Sequence, residues 1–145
     1  MSQHTSSGAP RWFFVVGVIA FLWNLLGVAA YVMQVTMSPE SLAALPEAER
    51  LLYENTPAWA VAGFATAVNF GALGCLFLLL RKTLAVPLLV ISLTGLLVQM
   101  FHAFFISNSI EVFGPGGMIM PAMVLVVAIY LVWLAVSAKN RGWIS

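Results

Sequence analysis

The eleven charged residues of this 145-residue chain are placed so that four stretches, 12–39, 55–80, 83–110 and 112–138, contain none. A bilayer core of about 30 Å takes roughly 20 helical residues to cross, so each stretch is long enough to span it. Hydrocarbon offers no partner to a backbone N–H or C=O, and a continuous apolar run of this length satisfies its own groups only as a helix. The chain is therefore expected to be all-α, an integral membrane four-helix bundle with spans at about 12–34, 57–80, 84–107 and 118–137. Composition agrees: 62% hydrophobic and 8% charged residues, with a mean hydropathy of +1.01, cannot give a soluble globule its polar surface. Residues 1–11 and 138–145 are left as short tails, the first polar and expected to be disordered.

The charges are sorted as well as sparse. All five acidic residues (Glu40, Glu47, Glu49, Glu54, Glu111) fall in two connecting segments, and five of the six basic ones (Arg11, Arg81, Lys82, Lys139, Arg141) fall in the others. Basic residues near span ends stay on the cytoplasmic side. Both termini are thus expected in the cytoplasm, with 35–56 and 108–117 on the outer side. Trp12 and Trp143 suit an inner aromatic belt, Tyr53 and Trp59 an outer one. The first apolar stretch exceeds the roughly 7–15 residues of a signal-peptide core, which makes it a retained anchor.

Local signals subdivide the connections. Ser38-Pro39-Glu40 offers an N-cap with proline at the first helical position, and Pro46 can open a second short helix. Leu42, Leu45, Leu51 and Leu52 give these pieces an apolar side, as in a lid or hairpin on the membrane surface. Thr56 is the expected cap of span 2 and Thr83 of span 3, with Pro87 and Pro121 in the first turns of spans 3 and 4. The link through Arg81-Lys82 is so short that spans 2 and 3 must be antiparallel neighbours.

Span 1 carries Gly17, Ala20, Asn24, Gly27, Tyr31 and Gln34 at steps of three or four, a stripe of small and polar side chains on one helical face. Sixty-eight positions later, Ser92, Gly95, Gln99 and His102 repeat the spacing of Asn24, Gly27, Tyr31 and Gln34, which is compatible with a parallel repeat of two hairpins. Span 2 has a small-residue stripe, Gly63, Ala67, Gly71 and Gly74, with Asn69 almost opposite. Gly27, Gly63, Ala67, Gly71, Gly74 and Gly95 are expected to let helices approach closely. One bundle covers both sides of span 2 poorly, so a homo-oligomer, a dimer first of all, is expected in addition to the lipid bilayer as partner.

The polar groups admit two uses. They can hydrogen-bond between helices, worth about 0.6 kcal/mol on average in membranes. They can instead line a neutral cavity between spans 1, 2 and 3 for an uncharged polar solute, in which case Trp23, Asn24, Tyr31, Gln34, Asn69, Gln99 and His102 are the candidate binding residues. No span holds a carboxylate, which argues against proton- or sodium-coupled pumps and small multidrug cation antiporters. Cys75 is the only cysteine, so a disulfide framework and a thiolate metal cluster are excluded. No nucleophile elbow, HExxH or basic patch is present, and the expectation is no enzyme, no metal or cofactor and no nucleic-acid partner.

The stretch WNLLGVAAYVMQVTMSPESLAALPEAERLLYENTPAWA, with LLLRK, QMFHAFF and FGPGGMIMPAMV, resembles a largely uncharacterised group of small four-span bacterial inner-membrane proteins that often carry a sugar-transporter label. The resemblance implies a bacterial inner membrane and facilitated transport of an uncharged solute such as a sugar. The other reading is a non-transporting interaction or accessory protein whose polar stripes serve packing.

Overall fold

The computed structural model describes residues 8–107 and 109–145; of the expected disordered tail, residues 1–7 lie outside them. The described chain is helical throughout, with no strand. Its elements are α1 (Arg11–Val35), α2 (Pro39–Ala43), α3 (Glu47–Glu54), α4 (Ala58–Leu79), α5 (Ala85–Phe101), α6 (Ser109–Phe113) and α7 (Ile119–Asn140). A π-helical turn, His102–Ile106, prolongs α5, and a 3-10 turn, Pro115–Met118, leads into α7. Four segments of 22–25 residues are long and apolar enough to cross a membrane, the shortest being about 33 Å at 1.5 Å per residue. Their outward faces are apolar too, with Ile19 and Val126 more than 60% exposed. This inside-out pattern belongs to a multi-pass membrane protein rather than a water-soluble bundle.

The helices pack in chain order. α1 lies antiparallel on α4, where the stripe of α1 meets α4 along its length: Gly17 faces Leu79, Asn24 faces Gly71 and Gly27 faces Val68. An adjoining face of α4 carries α5 so closely that a Cβ on Gly95 would come within 2.8 Å of the Gly63 carbonyl oxygen, and one on Gly63 within 2.9 Å of the Gly95 oxygen. Ser92 Oγ donates across this contact to Ala67 O at 2.5 Å. The matched spacings on α1 and α5 thus mark the two helices that flank α4.

Burial is uneven along the bundle. α4 and α5 contain buried residues along most of their length, whereas those of α1 (Phe13, Gly17, Ala20) and α7 (Leu131, Leu134, Ala135, Ala138) all lie toward the end that carries the chain termini. One apolar core closes that terminal end, combining these residues with Cys75, Leu78, Ala85, Leu89 and Ile144. At the opposite loop end, the outer turns of α1 and α7 bury nothing, and the bundle opens.

Several local expectations need correction. The span 2 helix starts one residue late, with Pro57 at the cap, because the Thr56 hydroxyl turns back to donate to Leu52 O at 2.6 Å and finishes α3 instead. Thr83 caps nothing with its side chain; Leu84 precedes α5, and the Thr83 N–H is taken by Ser145 O at 3.1 Å. Residues 138–145, expected as a short tail, pack back on the bundle. α7 runs to Asn140, and Gly142 at φ 77° reverses the chain. Ile144 then enters the core, Trp143 packs edge-on against Trp12 and Phe13, and Ser145 N–H donates to Arg81 O at 3.0 Å. Ser38 does cap α2 as expected, accepting from Ser41 N–H at 3.1 Å.

Candidate functional site

The opening between the four long helices is a cavity of about 420 Å³, walled by Trp23, Asn24, Leu26, Gly27 and Ala30 of α1, by the Phe64–Gly71 face of α4, by α5, and by the first three turns of α7. A protein interior packed to ordinary density has few voids larger than a water molecule, so a space of this size is architecture. The glycines that bring α1, α4 and α5 together have no counterpart on α7, which contains none. Leu26 and Met120 line the cavity while remaining 69% and 58% exposed, so its mouth lies between α1 and α7 and opens sideways, across the helix axes.

Apolar side chains dominate this wall; Asn24, Ser92 and Gln99 are the exceptions among aliphatic, aromatic and small residues. Two of the three are engaged. Asn24 Nδ2 donates to Ala20 O one turn back at 2.9 Å and reaches Cys75 Sγ at 3.5 Å, and Ser92 serves the α4 backbone. What remains is an apolar slot with one uncommitted amide, Gln99, at its loop end.

A second cavity of about 240 Å³ sits at the loop end, between Gln34 of α1, the Leu52–Thr56 turn, the start of α4, and His102, Ser107, Ser109 and Phe113. The two adjoin, with Phe64, Gln99 and Ala103 lining both. Its lining is more polar and carries no charged side chain. His102 is 8% exposed, with its ring edge-on to Trp59 at 5.4 Å. No described residue hydrogen-bonds the side chains of Gln34, Gln99 or His102.

Of the seven residues expected to bind, Trp23, Asn24 and Gln99 line the larger cavity, and Gln34, Gln99 and His102 the smaller. Tyr31 lines neither; it packs edge-on against Phe64, which lines both, at 5.6 Å. Asn69 requires a correction. The small stripe of α4 turns inward, which sends Asn69 outward, where it is exposed and its Nδ2 donates to its own helix at Ala65 O, 2.8 Å away. Phe64, Tyr53, Ser107 and Ser109 line a cavity without having been among the binding residues expected from sequence. Among the described residues, no group of three His, Cys, Asp or Glu side chains converges to hold a metal.

Comparison with known proteins adds no relative. No protein-family model, curated protein or solved structure matches the chain. Function has to be argued from the two cavities alone.

Proposed function

We propose that this membrane protein binds an uncharged molecule dissolved in the bilayer, taking it sideways between α1 and α7, and that it acts as a binding or accessory protein rather than as a catalyst or pump. The observation that carries the proposal is the 420 Å³ apolar cavity with its mouth between two exposed apolar helices. Its volume lies within the roughly 300–1,000 Å³ of ligand pockets and well above the roughly 150 Å³ of apolar cavity that binds benzene. The charge sorting supports cytoplasmic termini and a mouth in the outer half of the membrane, and the test is independent of that orientation. Adding 1-dodecanol to purified protein should raise its unfolding free energy, by about 2.7 kcal/mol at a hundredfold excess over Kd. No rise at any concentration tolerated by the micelle would remove the reading.

Facilitated transport of a sugar is the second reading, favoured by the grouping of Gln34, Gln99 and His102 at the loop end. Against it stand the apolar walls below that group and the core of Phe13, Leu78 and Leu134 that closes the terminal end. Saturable uptake of neutral sugars or polyols into proteoliposomes, lost in Gln99→Leu, would reverse the preference.

A second copy of the chain is proposed for the exposed face of α4. Asn69 is the twelfth residue of that 22-residue helix, near mid-depth, and its amide oxygen has no partner among the described residues. A twofold contact between two such faces would pair amide with amide. Asn69→Leu should then weaken the dimer in a bilayer dilution series, and an unchanged monomer–dimer balance would refute the placement.

A further inference from the structure

We propose that the two cavities form a single site for a single-chain amphiphile with an uncharged, hydroxyl-bearing head, whose chain fills the larger cavity and whose head sits beside Gln99 and His102. This rests on the reading that the larger cavity takes a membrane-dissolved molecule, and it adds what that molecule must carry at its other end.

Polarity changes abruptly at the residues that line both cavities. Below Phe64, Gln99 and Ala103 the lining is almost wholly hydrocarbon; above them it includes Gln34, Tyr53, Thr56, His102, Ser107 and Ser109. A ligand filling both spaces must be apolar at one end and hydrogen-bonding at the other. Gln99 borders both, and its amide has no described partner, so it stands where head and chain would join.

His102 is the buried polar residue of the smaller cavity. Its imidazole is more than nine-tenths buried and hydrogen-bonded by no described residue, yet no described side-chain nitrogen or oxygen is both fully enclosed and unpartnered, so its ring keeps access to the cavity space, where water or a ligand hydroxyl can complete it. Local backbone geometry puts it there. Residues five apart on an α-helix lie about 140° apart around the axis. The π-helical turn, closed by Ser107 N–H donating to His102 O at 2.8 Å, brings both residues to the cavity. Such turns occur often at functional sites. Ser107 and Ser109 hydroxyls lie 2.7 Å apart on the same wall, with Ser107 Oγ donating to Ala103 O at 2.8 Å.

Charge decides the class of head. The loop end carries five carboxylates, Glu40, Glu47, Glu49, Glu54 and Glu111, against one guanidinium, Arg50, which lies 3.7 Å from Glu54. An anionic head would meet that field without a cation in the cavity lining to receive it. Amide, imidazole and hydroxyl groups both donate and accept, which suits the paired hydroxyls of a glycerol-like head.

The test uses the full chain in phosphatidylcholine vesicles and a monoacylglycerol with a mid-chain diazirine. Irradiation should label cavity-lining residues of α1 and α7 such as Leu26, Gly27, Ala30, Val124, Val127 and Ala128. Unlabelled monolauroylglycerol should displace the label at a concentration about tenfold below that needed for dodecane or lauroyl lysophosphatidylglycerol, the effect of one or two hydrogen bonds. His102→Leu and Gln99→Leu should each erase most of that advantage while leaving displacement by dodecane unchanged, and His102→Gln should restore part of it. Equal displacement by dodecane and monolauroylglycerol would overturn the two-part site while leaving the apolar cavity intact as a binding place. Preference for lysophosphatidylglycerol would overturn the uncharged head. Labelling of the cavity that nothing displaces would overturn both this inference and the reading beneath it.

Discussion

Gly95→Ala should destabilise the bundle by about 1–2 kcal/mol, and the reason is the backbone it meets. The added methyl would lie 2.8 Å from the Gly63 carbonyl oxygen and 2.8 Å from Thr66 Cβ. An oxygen held in a helix cannot rotate away as a side chain can, so α4 and α5 must part by about half an ångström. A gap of about 0.5–1 Å forfeits a quarter to a half of each atom pair's 0.1–0.2 kcal/mol. Over some tens of pairs along two helices this sums to about 1–2 kcal/mol, within the usual 1–3 kcal/mol cost of overpacking. Gly63→Ala meets the reciprocal contact at 2.9 Å and should cost as much. Because one separation relieves both clashes, the double variant should lose clearly less than the sum. Gly27→Ala is the control: its methyl would meet Val68 Cγ1 at 3.0 Å, a side-chain atom that can yield, and stability should barely change. Reversible unfolding in mixed micelles, read by near-UV circular dichroism, measures all four. Gly95→Ala as stable as Gly27→Ala, or additive losses in the double variant, would refute the backbone contact.

Three further outcomes follow from particular contacts. Ile144→Ala should lower stability by about 2 kcal/mol, the low end for a buried aliphatic side chain, since Ile144 completes the terminal-end core; an unchanged unfolding midpoint would show that the chain end does not seal the bundle. Asn24→Leu should cost only about 0.6 kcal/mol, because the amide serves mainly its own helix through Ala20 O, and a loss above about 2 kcal/mol would indicate an interhelical role. Ala128→Trp, placed in the larger cavity, should abolish stabilisation by 1-dodecanol in the same unfolding assay without lowering stability in its absence; retained stabilisation would place the ligand elsewhere.

The spans were legible because charge and length leave a lipid-facing chain few alternatives: with the π-helical turn counted as part of α5, the four long helical segments begin and end within three residues of the expected bounds. The faces of α1 and α4 were legible for a related reason, since Gly17, Gly27, Gly63 and Gly71 meet neighbours that a larger side chain would displace. Caps were less so. Thr56 and Thr83 stand before helices in sequence, yet nearby carbonyls, Leu52 O and Ser145 O, take their hydroxyl and N–H respectively. The site was half legible. Periodicity placed Asn24, Gln99 and His102 on inward faces, but it also shows Asn69 opposite the packed stripe, and that geometry rather than its polarity decides its position. Nothing in HAFFIS announces a π-helical turn, and nothing local reveals that α1 and α7 diverge.

The most direct test of a laterally open, occupied cavity is the stoichiometry and position of photolabelling by 1-dodecanol carrying a mid-chain diazirine, in vesicles of increasing probe content. Labelling should saturate near a single adduct per chain and map to cavity-lining residues such as Leu26, Gly27, Ala30, Val124, Val127 and Ala128. Labelling that rises without limit and spreads over outward residues such as Ile19, Leu22, Ile129 and Trp133 would mean that the bundle meets this molecule only as solvent.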